Sequence, residues 1–272
     1  MLPITELAKA KVNLNLHILG RRLDGYHELS SSVAFVDVAD VLTIEPAQVN
    51  ALKVSGRFAD DVPLDVSNSI WKAYSWLARR VALPPVQVSL KKSLPVASGI
   101  GGGSADAAAM LRALLRLTGK SLDDEEVTAL AIDLGADVPV CFLGKPCLME
   151  GIGEKISALT IELPQALVLT NPLLRCSTFS VFTGMGLKAG QRYKGGANLW
   201  RNDMTKAAMK VQPAIGEVLA AFAETKLKPS LMSGSGATCF GVAQSLNEAQ
   251  VEAQKIKALH PNWWVRAARI VT

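Results

Sequence analysis

From Ala8 to Ile18 apolar and polar residues alternate, with Ala8, Ala10, Val12, Leu14, Leu16 and Ile18 on one side and Lys9, Lys11, Asn13, Asn15 and His17 on the other. A period of two marks a β-strand, so one long strand is predicted here. Its polar side mixes asparagine and histidine with lysine, a composition that suits a cleft better than a solvent face. Asp24-Gly25 is a turn signal. The runs through Val33, Phe35 and Val38, and then Val41 to Ile44, predict further strands and a β-rich N-terminal layer. Val86, Val88 and Leu90 alternate once more, and that strand ends at Lys91-Lys92-Ser93-Leu94-Pro95.

The period then changes. Ala105 to Leu117 has helical spacing, with Leu111, Leu114 and Leu115 on one side. A second helix opens on the acids Asp123 to Glu126 and stops at Gly135, which leaves Asp137 in the loop beyond it. Beyond residue 160 the pattern predicts a strand at Ala166 to Thr170, helices at Thr178 to Leu187 and Pro213 to Glu224, and strands near Leu231 and Thr238 to Val242. A helix capped by Asn247 and a last strand at Trp263 to Val271 follow. With the middle helices merged this is β-α-β-β-α-β, the split ferredoxin-like order. The fold class expected is α+β, with domains at 1–160 and 161–272; the last strand is free to pair with either.

The 272 residues are 49% hydrophobic and 19% charged, which is globular rather than disordered. A net charge of +5 favours anionic partners without specifying their kind, and a small phosphorylated ligand fits it. The basic pairs Arg21-Arg22, Arg79-Arg80 and Lys91-Lys92 are scattered and lack interleaved aromatics, so no nucleic-acid partner is expected. Cys141, Cys147, Cys176 and Cys239 have no metal-site spacing and read as reduced core thiols. The N-terminal residues lack an apolar signal core, and Pro229 to Asn247 is too broken by glycine and serine to span a membrane. A cytoplasmic protein without a membrane partner is the expectation.

The strongest chemical feature is Pro95-Val96-Ala97-Ser98-Gly99-Ile100-Gly101-Gly102-Gly103-Ser104-Ala105, set between a strand and a helix. Glycines let a backbone wrap an oxyanion, and the helix that follows offers unpaired N–H groups and a positive dipole end. That is a phosphate cradle. It is neither a Walker A loop, since Leu114 stands where the motif around Gly119-Lys120-Ser121 needs its first glycine, nor a Rossmann fingerprint, since Ser104 takes the last glycine's place. Gly135-Ala136-Asp137-Val138-Pro139 puts a carboxylate at a rigid corner, where it could accept an acceptor hydroxyl's proton or simply close a turn. Lys11 and Asn13 share one strand face; such a lysine can steady a moving phosphoryl charge or be an ordinary edge charge. Tyr26-His27 supplies a π face and a hydrogen-bonding ring, enough to clamp a heterocyclic base. Ser233 to Ala237 is a second small-residue turn and does not form the hydrolase elbow GxSxG.

These features, taken in order along nearly the whole chain, resemble the GHMP small-molecule kinases. The Lys11-Val12-Asn13-Leu14 start, Asp24-Gly25-Tyr26-His27 and Gly135 to Pro139 are most similar to the branch of that family acting on a cytidine-diphosphate-linked methylerythritol. The resemblance implies an N-terminal domain of the ribosomal-protein-S5-second-domain type and a ferredoxin-like C-terminal domain. It implies that ATP phosphorylates the 2-hydroxyl of the methylerythritol moiety, with Lys11 and Asp137 as the catalytic pair. Asn13, Tyr26, His27 and Thr178 would lie on the substrate side. Pro95 to Ala105 would hold the ATP phosphates and Asn68 would lie at the adenine. Magnesium is implied with ATP, and Ser104 is the candidate ligand. The pattern departs from the family where Ala97-Ser98 stand for two glycines, where Asp106 stands for asparagine, and in a short segment between Gly56 and Asn68. Other alcohols such as mevalonate or homoserine, or a non-catalytic nucleotide-binding relative, are the rival readings.

Overall fold

The structure is a computed structural model that describes residues 2–195 and 199–272. Three strands open the chain: β1 (Ile4–Asn13), β2 (His17–Arg21) and β3 (His27–Pro46). The single strand expected from Ala8 is thus two strands. Alternation continues through Leu14, Asn15 and Leu16, but the backbone there leaves the ladder because Leu14 N–H donates to the Ser32 carbonyl and Leu16 N–H to the Arg201 carbonyl, both at 2.8 Å. The two runs expected around Val33 and Val41 are, conversely, one strand. Asp40 sits inside it with 0% exposure.

Tertiary contacts gather the chain into two compact units that interleave in sequence. The first holds residues 1–10, 39–96 and 101–144. It adds β4 (Ala51–Ser55), α1 (Ser69–Ala78), β5 (Val86–Lys91), α2 (Gly102–Thr118), α3 (Asp124–Asp133) and α4 (Val138–Leu143). Val41 to Pro46 of β3 pair antiparallel with β5, which pairs parallel with β4. α1 and α4 pack on α2. α2 is alanine-rich and buried along nearly its whole length, from Ala105 to Leu115. Small side chains let its neighbours approach closely. α3 begins at Asp123, whose carboxylate accepts from Glu126 N–H while Glu126 reaches back to Asp123 N–H, a reciprocal capping box. α1 is absent from the sequence-based expectations; Asn68 caps it.

The second unit holds residues 11–38, 97–100 and 145–272. β6 (Cys147–Gly151) and β7 (Lys155–Ala158) form a hairpin beside the first half of β3. Then come β8 (Ala166–Asn171), α5 (Thr178–Gly184), α6 (Thr205–Val211), α7 (Ala214–Ala223), β9 (Ser230–Met232), β10 (Cys239–Ala243), α8 (Leu246–Leu259) and β11 (Trp264–Val271). The strand order β11-β8-β10-β9, all antiparallel, is that of a split β-α-β-β-α-β fold. β8 lies between β11 and β10, and every residue of it is buried. This accounts for its continuous apolar run in place of alternation. β11 pairs along β8 and, through Ile270 and Val271, with Val36 and Phe35 of β3. The cap of α8 is Ser245, accepting from Glu248 N–H, and not Asn247 as expected. Serine two residues earlier satisfies the first-turn donor. α5 also ends at Gly184, short of the expected Leu187.

All four cysteines are free and buried. No helix among the described residues is long and apolar enough to cross a membrane.

Candidate active site

The glycine segment divides its work residue by residue. Ala97, Gly99 and Gly101 occupy the left-handed region at φ 51°, 79° and 67°. A glycine at 97 would be unstrained; alanine adopts that conformation at a cost of roughly 1 to 2 kcal/mol. Gly99 is needed for packing: a Cβ on it would fall 2.4 Å from the Ser233 carbonyl oxygen and 2.8 Å from that of Gly236. α2 starts at Gly102, earlier than expected, so two of the glycines form its first turn. Gly101 caps that turn without a side chain. The leading N–H groups of a 17-residue helix therefore lack a side-chain acceptor at the cap. A Cβ on Gly102 would point inward, 3.4 Å from Lys92 Nζ, whereas one on Gly103 would find only Ser69 Oγ, at 3.8 Å. Gly103 is exposed. The open face of the cradle is thus at Gly103 rather than Gly102.

Lys11 is no solvated edge charge. It is 3% exposed, at the point where β1 runs into the core. Its Nζ donates to Asn13 Oδ1 at 2.6 Å. Asn13 Nδ2 donates in turn to Ser31 Oγ at 2.7 Å, and Ser31 Oγ to the Asn15 carbonyl at 2.5 Å. Both ends of the Asn13 amide are therefore engaged, and the residue aims Lys11. Asn13 N–H also donates to Ser233 Oγ, which donates to the Gly99 carbonyl, at 3.1 and 3.0 Å. Thr238 N–H donates to the Ser98 carbonyl at 3.0 Å. Through these bonds the lysine strand, the 97–100 part of the glycine segment and the Ser233 to Ala237 turn are tied together.

His27 begins β3, beside Arg21 at the end of β2. Its ring stacks on Phe182 of α5 with centroids 4.5 Å apart and planes 23° from parallel. Burial, and then the Arg21 guanidinium, lower its pKa below the ordinary histidine value, so the ring is neutral at pH 7. Its Nε2 is buried and has no hydrogen-bond partner among the described residues. Tyr26, in contrast, is 55% exposed. Ser177 caps α5 by accepting from Ser180 N–H, which sets the helix that carries both Thr178 and Phe182. Thr178 Oγ1 and Ser235 Oγ share a hydrogen bond of 2.7 Å.

In the first unit Asn68 is buried and fully committed: Oδ1 accepts from Ile70 N–H at 2.9 Å and Nδ2 donates to the Pro63 carbonyl at 2.6 Å. It shapes the turn before α1, next to Ser69 and hence to Gly103. Asp137 lies just before α4, and its carboxylate does not cap that helix. Ser104 is half-buried in the first turn of α2. No group of three histidine, cysteine or acidic side chains that could hold a metal occurs among the described residues. Phe182 and Ser31 carry no motif, and each is found only once its partner is placed; Ser235 lies in the Ser233 to Ala237 turn, but its bond to Thr178 is not legible from that pattern.

Residues 68–145 match the GHMP kinases N terminal domain and 193–262 the GHMP kinases C terminal domain. A 4-diphosphocytidyl-2-C-methyl-D-erythritol kinase of Rhodopseudomonas palustris is 43% identical over 99% of this chain and 100% of its own length. The chain belongs to the GHMP kinase family. The Bradyrhizobium diazoefficiens protein of the same name is 42% identical over 98% of each chain. Among solved structures, a 4-(cytidine 5'-diphospho)-2C-methyl-D-erythritol kinase superposes with a TM-score of 0.79 at 30% identity, covering 98% of this chain and 99% of its own. Homoserine kinase from Cytophaga hutchinsonii, at 15% identity and a TM-score of 0.71 over 98% and 95% of the two chains, shares the GHMP kinase fold.

Proposed function

We propose that this GHMP kinase transfers the terminal phosphoryl group of ATP to the 2-hydroxyl of 4-diphosphocytidyl-2-C-methyl-D-erythritol, giving the 2-phosphate and ADP in non-mevalonate isoprenoid synthesis. The observation that carries the substrate assignment is His27. A neutral ring stacked on Phe182, with a buried Nε2 lacking a partner, suits the hydrogen-bonding edge of a cytosine. Mevalonate and homoserine have no base to fill it. Tyr26, exposed at the same hairpin end, would close on the base by stacking.

In this reading Asp137 takes the proton of the attacking hydroxyl, and Lys11, aimed by Asn13, steadies the charge on the moving phosphoryl group. Phosphoryl transfer asks the protein mainly for position and charge. The first-turn N–H groups of α2 receive the phosphates, with Gly103 leaving the approach open. Asn68 serves the adenine side through the backbone it fixes. Magnesium bound with ATP would neutralise phosphate charge, with Ser104 as the protein ligand. The functional division into an ATP-binding part, 1–160, and a substrate-side part, 161–272, belongs to this proposal, as does a cytoplasmic location.

The test is turnover of purified protein with ATP and each of three alcohols: the cytidyl compound, mevalonate and homoserine. The cytidyl compound should be used, and His27→Ala should raise its KM by about 10- to 1000-fold, the cost of leaving polar groups unpaired. Efficient use of mevalonate or homoserine with no turnover of the cytidyl compound would overturn the assignment.

A further inference from the structure

Lys92 and Asp106 flank the glycine segment in sequence and meet beneath it. Lys92 follows β5, is 2% exposed, and donates from Nζ to Asp106 Oδ2 on α2 and, at 2.6 Å, to Asp40 Oδ2 on β3. Asp40 Oδ1 in turn accepts from the N–H groups of Ser93 and Leu94, at 2.5 and 2.8 Å. The contact between Lys92 and Asp106 closes residues 93–105 into a ring, and Asp40 holds the entry of that ring by two backbone bonds. The ammonium lies 3.4 Å from where a Cβ on Gly102 would stand, immediately under the first turn of α2.

A buried ion pair gives little net stability over an apolar pair of similar shape, so stability alone is a weak reason for this arrangement. What it does supply is a single geometry. Both ends of the segment are fixed by directional bonds, and unfixed ends would cost ordering entropy each time the segment closed on a ligand.

We propose that Lys92, Asp106 and Asp40 are positioning residues for ATP, an ionic staple that holds the glycine segment so that the first-turn N–H groups of α2 meet the phosphates in one orientation. The inference rests on the reading of this segment as the phosphate cradle. Burial, followed by the Asp40 carboxylate and against the pull of Lys92, pushes the Asp106 carboxyl up to about 7. Its Oδ1 is buried without a hydrogen-bond partner, which is costly for an ionised carboxylate. The staple does not depend on that charge, because a carboxyl oxygen accepts from Lys92 in either protonation state. An asparagine carbonyl does the same.

Steady-state kinetics of the full chain, with each substrate varied in turn, tests this. Asp106→Leu should raise KM for ATP about tenfold or more, with KM for the cytidyl compound unchanged within about twofold and kcat at saturating ATP within about threefold. Asp106→Asn should restore the ATP KM to within about threefold of the natural protein. If Asp106→Leu does not fold, Lys92→Met/Asp106→Leu removes the Lys92–Asp106 link from both sides, leaving Asp40 with its bonds to Ser93 and Leu94 N–H, and should show the same selective rise. A folded variant with an unchanged ATP KM, or equal losses for both substrates, overturns the staple. Absence of turnover in the natural protein would instead strike at the functional reading itself.

Discussion

Two lysines of this chain are buried to nearly the same degree, Lys11 at 3% and Lys92 at 2% exposure, yet they belong to different compact units and are held by different contacts. Lys92 donates to two carboxylates. Burial weighs against its charge, but Asp106 and Asp40 together hold its pKa above the ordinary lysine value. Lys11 donates to the amide oxygen of Asn13, whose Nδ2 is itself held by Ser31, and this fixes the direction of the ammonium. Burial does not by itself distinguish the two lysines: the carboxylates act on the charge of Lys92, and the Asn13 amide acts on where Lys11 points.

Removing each charge should break the protein in a different way. Lys11→Met and Asp137→Asn should each lower kcat by about 10² to 10⁴ while both substrates still bind, as expected when a general base or its charged partner is lost. On the proposed reading the double variant should be hardly worse than either single one, because a base and the lysine that serves it would act as a unit. Retention of more than about a tenth of kcat in Asp137→Asn would remove it as the base. Lys92→Met should show the opposite profile. Leaving two carboxylates buried without their cation costs about 3 to 5 kcal/mol, which a denaturant melt would read directly. The surviving folded fraction should keep kcat within about threefold and need more ATP.

How much of this contrast the sequence discloses follows from the range of the interactions. The β1 alternation, the glycine segment and the Gly135 to Pro139 corner are local patterns, and the residues put forward from them do sit at strand, helix-start and helix-entry positions. The break at Leu14 to Leu16 is not local, since it arises from bonds to Ser32 and Arg201. Lys92 reads from sequence as half of one of three scattered basic pairs, with Lys91, and its partner Asp40 lies 52 residues away. Asp106 reads as a departure from the family's asparagine, and only the buried lysine beneath it gives that departure a physical sense. The same holds for α1, whose aromatic-rich sequence has weak helical preference and which is secured by its Asn68 cap and by packing on α2.

The charge balance around Lys92 predicts a pH signature. The Asp106 carboxyl keeps its proton to about pH 7 in the folded chain, against 3.8 as the ordinary value. The folded state then binds more protons than the unfolded one between those values, so stability falls as pH rises through that window. Lys92 and Asp40 are the charged groups acting on Asp106; α4 carries none, Lys72 of α1 is exposed, and Glu6 of β1 is paired with Arg112 and Arg116 farther along α2. Asp106→Asn should flatten this dependence. Melts at pH 5 and pH 8 should show the variant gaining on the natural protein by roughly 3 °C or more at the higher pH, about 1 kcal/mol for a chain of this size. Parallel melting curves would mean that Asp106 is ionised throughout.

The smallest expected effect separates the two faces of the α2 start. A methyl group on Gly102 would lie 3.4 Å from Lys92 Nζ and 3.7 Å from Leu94 Cβ, so it presses on the staple rather than on the ligand. A methyl on Gly103 touches neither and points toward the open side, with Ser69 Oγ its nearest neighbour at 3.8 Å. Neither position has a positive φ, so backbone strain does not enter. Gly→Ala within a helix would by itself stabilise by roughly 0.5 to 1 kcal/mol. Gly103→Ala should keep that gain in the melt yet weaken ATP, because on the proposed reading its methyl would stand where the phosphates approach. Gly102→Ala should lose part of the gain to crowding of Lys92 and weaken ATP less. Calorimetric titration of an unreactive ATP analogue beside a melt of each variant decides the order. If Gly102→Ala proves the weaker ATP binder of the two, the phosphates lie on the Lys92 side, and Lys92 would then have to be regrouped with Lys11 as a residue acting on the ligand.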